Sequence, residues 1–107
     1  MSGRSAMNQA QLMRMLQKTQ AEMARVQEEL AATTVTGSAG GAVSVEMTAD
    51  LHVTKVTIDK AALDPEDVES LEDVVATAVN AAIKNAQDLS SRKMGAVTGG
   101  MRIPGMF

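Results

Sequence analysis

The sequence has no cysteine, no tryptophan and no tyrosine, and Phe107 is its only aromatic residue. Without cysteine, disulfide frameworks and thiolate metal sites are excluded. The lack of rings argues against modules that stack bases on aromatic side chains, such as most single-strand binders and RNA-recognition sheets. His52 is the sole histidine, so one chain cannot supply a His-pair zinc site or a Ser-His hydrolase pair. No apolar run approaches the roughly 18 residues a membrane span needs. Met1-Ser2-Gly3-Arg4-Ser5 opens into a polar, Gln-rich stretch rather than a signal-peptide core. These absences predict a soluble, cytoplasmic, non-enzymatic domain with no cofactor.

What is present fits one domain: 107 residues, 45% hydrophobic and 21% charged. The net charge of −3 conceals an asymmetry. Residues 1–20 carry Arg4, Arg14 and Lys18 and no acid, a charge of +3. Residues 84–107 carry Lys84, Arg92, Lys93 and Arg102 against Asp88, also +3, while the stretch between them holds −9. Basic ends around an acidic middle matter electrostatically if the fold brings the ends together.

Residues 7–32 read as one long helix. Leu12, Leu16, Thr19, Met23, Val26 and Leu30 recur at steps of 4, 3, 4, 3 and 4, a heptad-like stripe among good helix formers. Its length, roughly 39 Å, exceeds what a small core covers, so the stripe calls for a partner helix in the same chain or another. Thr33-Thr34-Val35-Thr36 is β-branched, and Gly37 to Gly41 reads as a turn. Val43, Val45 and Met47 alternate with Ser44, Glu46 and Thr48, a half-buried strand. His52 to Ile58 is the third strand, with Thr54, Val56 and Ile58 on one face and Val53, Lys55 and Thr57 on the other. Asp64-Pro65-Glu66-Asp67 reads as the start of a second helix, with a capping Asp and Pro in the first helical position. Its stripe runs through Val68, Leu71, Val75, Ala78, Ala82, Ala86 and Leu89 and ends near Met94-Gly95. This defines a domain over 1–94 and a flexible tail over 95–107.

The predicted class is α+β, α-β-β-β-α with a three-stranded antiparallel sheet. One helix runs into the sheet and the other out of it. The start of the first and the end of the second then project the same way, and the two basic segments meet at an overhanging tip.

Arg14, Lys18 and Arg25 fall within about 40° of one another on the helical wheel, and exposed bases in that arrangement suit phosphate contacts; a solvated helix face is the plainer reading. Lys84, Arg92 and Lys93 suit them too, with the helix dipole as a competing reason for their placement. The nine methionines suit core or dimer-seam packing, or an adaptable partner surface. Asn80 lies away from the main stripe. Gly37 to Gly41 lacks the Gly-Lys-Ser/Thr ending of a phosphate loop. Asp64, Glu66 and Asp67 read as caps rather than as an acid/base pair.

The Met/Gln-rich first helix, Val35-Thr36-Gly37 and Gly40-Gly41 together resemble the YbaB/EbfC family of bacterial nucleoid-associated DNA-binding proteins. So do Val56-Thr57-Ile58-Asp59, Leu71-Glu72-Asp73, Ala78-Val79-Asn80-Ala81-Ala82, Lys93-Met94, Thr98-Gly99-Gly100-Met101 and Pro104-Gly105. The resemblance covers essentially the whole chain, with Thr48-Ala49-Asp50 standing where family members often carry an Asn-Gly-like turn. It implies a tweezer-like homodimer in the cytoplasm and nucleoid that holds double-stranded DNA between helical prongs. On that reading the DNA-binding residues are Arg4, Arg14, Lys18, Arg25, Lys84, Arg92, Lys93 and Arg102, acting on phosphates with limited base readout. A second reading is a protein-interaction or assembly module that uses the Met-rich helices without touching DNA, which the net negative charge favours.

Overall fold

The computed structural model describes residues 2–99, with side chains from 8 to 97. Helix α1 spans Ser2–Ala32, strands β1, β2 and β3 span Thr34–Ala39, Val43–Thr48 and Val53–Ile58, and α2 spans Val68–Gly99. A short 3-10 turn, Lys60–Ala62, lies between β3 and α2. The three strands form one antiparallel sheet in the order β1-β2-β3. The element order and class are those the sequence predicts.

Among the described residues, two cores hold the molecule together. In the first, the inward residues Val43, Val45 and Met47 of β2 meet Ala78, Ala82 and Ala86 of α2. Burying each of the three large side chains contributes about 1.5–3 kcal/mol. The alanines, one per turn, leave α2 a flat face that lies almost on the backbone of β1. There Gly37 is buried, and a Cβ on it would sit 2.1 Å from the Ala82 backbone nitrogen. Gly37 is therefore a strand residue, not the first residue of a turn: strand glycines mark close backbone approach. The turn itself is shorter, with Gly40 at φ 59° and Gly41 at φ 67°. Asn85 fastens the same helix to the strand by donating to the Thr36 carbonyl at 2.7 Å.

The second core joins the helices. Val26 and Leu30 of α1 pack with Val97 of α2 and with Ala49, which leads out of β2. The Ala49 amide donates to the Leu30 and Thr33 carbonyls at 3.0 and 2.9 Å, so the β2–β3 turn fixes the direction in which α1 leaves the sheet. Leu51 in that turn holds φ 73°.

α1 begins at Ser2 rather than at residue 7, β1 runs to Ala39 rather than only to Thr36, and three further features differ from the sequence reading. First, α2 begins at Val68 rather than at Pro65. Asp64 closes its own turn, accepting from the Glu66 amide at 2.9 Å, and Asp67 is the cap, accepting from the Ser70 amide at 3.3 Å. Second, α2 does not stop at Met94-Gly95 but continues to Gly99, because Val97 gains burial against Val26 and Leu30. The expected 94/95 boundary thus falls inside a helix; residues 100–107 lie outside the described residues. Third, β3 carries an irregularity opposite Glu46 and Met47, so that Val53 pairs with Met47 while Lys55 pairs with Glu46. Thr54 is the extra residue, and Val53 joins Val56 and Ile58 on the face that carries Met47. α2 covers β1 and β2 on that face but leaves β3 exposed.

Candidate nucleic-acid interface

The helices are antiparallel where they touch: Glu29 meets Lys93, while Glu22 and Thr19, earlier on α1, line a groove with Val97, later on α2. The beginning of α1 and the end of α2 therefore point the same way, away from the sheet, in a molecule 78 Å long and 27 Å wide. Past the contact with Val97, the α1 stripe residues Leu12 and Leu16 are 55% and 43% exposed among the described residues.

On this prong Arg14 and Lys18 stand one turn apart, both exposed, beside a shallow groove with Met15, Thr19, Glu22 and Val97. Neither forms an ion pair among the described residues, and nor does Arg92, exposed on α2. These three bases present free charge.

The other predicted bases are placed differently. Lys93 faces α1 and donates to Glu29 Oε2 at 3.0 Å. Arg25 donates to Glu29 Oε1 at 2.5 Å. One carboxylate thus bridges cations from both helices, in a groove with Glu22, Val26, Ala96 and Val97. The Lys93 hydrogen bond holds Glu29 below the usual carboxylate range, with the Arg25 charge adding to it. Lys84 lies where α2 packs on the sheet, roughly 13 Å along the helix from Lys93, and pairs with Asp88 at 3.4 Å. It belongs to the body rather than the prong. The Arg4 side chain and the whole of Arg102 lie outside the described residues.

The helix dipole does not account for the bases of α2. The last turn of α2, as it ends at Gly99, holds no base, and the dipole acts only within that turn. On the sequence alone Glu29, with Glu22, reads only as an acid that dilutes the basic face of α1, not as a site residue. Its spacing of four from Arg25 was a visible signal, but its bond to Lys93 spans 64 residues and has no local signature.

At the opposite side of the helix junction Thr48 donates to Asp50 Oδ1, and the His52 ring nitrogen Nδ1 lies 3.3 Å from the same oxygen. Asp50 is held below the usual range by the Thr48 hydroxyl first and by His52 after it. Among the described residues no group of His, Asp and Glu side chains could hold a metal ion, and no helix is long and apolar enough to cross a membrane.

A small sheet carries two antiparallel helices past its edge, with Arg14 and Lys18 exposed on the projecting part of α1 and without an ion pair among the described residues. The chain belongs to the YbaB/EbfC DNA-binding family, whose model matches residues 5–101. It is 46% identical over 101 residues to a nucleoid-associated protein of Pelotomaculum thermopropionicum, covering 94% of this chain and 96% of that one. Identity to a nucleoid-associated protein of Chloroflexus aurantiacus is 47% over 102 residues, covering 94% and 100%. The crystal structure of an uncharacterized protein from Helicobacter pylori shares the fold, with a TM-score of 0.70 at 22% identity over 87% of this chain and 96% of that one.

Proposed function

We propose that the protein is a nucleoid-associated homodimer that holds duplex DNA between its helical prongs through phosphate contacts, and so organises the bacterial chromosome or regulates its genes. The observation that carries this reading is the pair of unpartnered bases, Arg14 and Lys18, on a helix that projects beyond the body. The acidic middle of the chain repels DNA from the sheet and leaves the prongs as the place of contact. The names of the relatives support the chromosomal setting. Dimerisation is supported by the apolar surface that one chain leaves open: Leu12, Leu16 and Met23 on α1, and Val53, Val56 and Ile58 on β3. Monomers seldom leave such surface bare.

Replacing Arg14 and Lys18 together by Ala tests the reading. Duplex affinity should fall about equally for all sequences, and the salt dependence of binding should flatten. The melting temperature should barely move, because exposed charges contribute little to folding. Unchanged affinity and unchanged salt dependence would remove the prongs from the interface. The assembly-module reading, which the exposed Leu12, Met13 and Met15 favour, takes over if the unsubstituted protein binds no duplex at low salt.

A further inference from the structure

We infer that Glu29 sets the DNA affinity of the protein by occupying, with its carboxylate, the cationic donors that a backbone phosphate would otherwise take. The inference rests on the DNA-binding reading above and concerns one residue within it. Arg25 from α1 and Lys93 from α2 converge on the two oxygens of Glu29, at 2.5 and 3.0 Å. Two cations from different helices aimed at one anionic group make a phosphate-binding arrangement, and here a carboxylate of this chain fills it. The triad lies in a groove open to solvent, on the same face of α1 as Arg14 and Lys18 and within about 60° of both on the helical wheel. A phosphate tracking that face from the prong toward the body passes Glu22, which lines both grooves, and then reaches the Arg25–Glu29–Lys93 triad.

The consequence is electrostatic. With Glu29 ionised, the triad carries one net positive charge; without it, two. DNA bound at the groove must then either share Arg25 and Lys93 with a carboxylate or push that carboxylate aside. Glu29 therefore lowers affinity at the root of the prongs while Arg14 and Lys18 hold it at the tip. It keeps a sequence-independent grip from becoming too strong to release.

Duplex binding by Glu29→Gln, measured by fluorescence anisotropy at several salt concentrations, tests this. Gln keeps the shape and helix propensity but not the charge. In each chain Arg25 and Lys93 are then free to hold one phosphate, two in a dimer, so the variant should bind roughly three- to tenfold more tightly at 0.1 M salt, with the slope of log affinity against log salt steeper by up to about 1.8. The gain should shrink by about half in a Lys93→Gln background, since one of the two released cations is then missing. Glu29→Ala, also neutral, should act in the same direction, which separates charge from side-chain fit. Circular dichroism checks that each variant is folded. Affinity that is equal to or weaker than that of the unsubstituted protein, with an unchanged slope, would overturn the inference while leaving the DNA-binding reading intact. No duplex binding by either protein would overturn both.

Discussion

Gly37 is where α2 comes nearest the sheet. A methyl group there would sit 2.1 Å from the Ala82 nitrogen and 2.5 Å from the Ala78 carbonyl oxygen. Both are helix backbone, so no side chain can swing aside, and either α2 lifts or β1 bends. Gly37→Ala should lower the unfolding free energy by roughly 3 kcal/mol, the upper end for overpacking, as read by urea denaturation. A loss below about 0.5 kcal/mol, the range of an ordinary surface change, would contradict the close approach. Acid titration tests two other residues. Glu29 and Asp50 are both held below their usual values, by Lys93 and by Thr48 respectively. A carboxyl depressed in the folded state stabilises it above the unfolded pKa and loses that contribution as the pH falls through the folded value. The melting temperature should therefore decline as the pH is taken below about 4, and Glu29→Gln should decline less. An identical acid limb in the variant would show that the Lys93 contact does not hold Glu29 down. At this scale the sequence is half legible. The Arg25–Glu29 pair follows from a spacing of four, whereas Gly37 is indistinguishable from a turn glycine until the helix above it is placed.

Among the elements, type and order are legible and ends are not. The alternation in β2, the β-branched runs of β1 and β3 and the seven-residue stripes of the helices mark three strands and two helices. The end of α2 depends on Val97, whose burial against α1 outweighs the roughly 1 kcal/mol that Gly95 costs a helix. Its start depends on two aspartates, Asp64 and Asp67, that compete for the role of cap. The faces of β3 depend on the extra Thr54, which hydrophobic alternation alone does not reveal. The apolar side chains left open on α1 and β3 carry a consequence of their own. A second copy can cover them, and the homodimer reading requires that it does. Sedimentation equilibrium at micromolar concentration should give twice the 11.2 kDa mass of the chain. A mass of 11.2 kDa under those conditions would contradict the dimer.

Across the whole molecule, charge and shape act together. Helix direction follows from the order α-β-β-β-α, and the sequence already implies that the basic ends project from an acidic body. What it does not disclose is how many of the predicted bases remain free. Lys84 is held by Asp88 and sits over the sheet, Arg25 and Lys93 are held by Glu29, and Arg14, Lys18 and Arg92 carry no ion pair among the described residues. On the homodimer reading, these three bases of each chain neutralise about 4–6 phosphates, each contributing about −0.9 to the slope of log affinity against log salt. The salt dependence of duplex binding by the unsubstituted protein is therefore the decisive measurement for phosphate contact from the prongs. Such contact gives a slope of roughly −4 to −5, nearly independent of DNA sequence. A slope near zero, or no duplex binding at low salt, would contradict it.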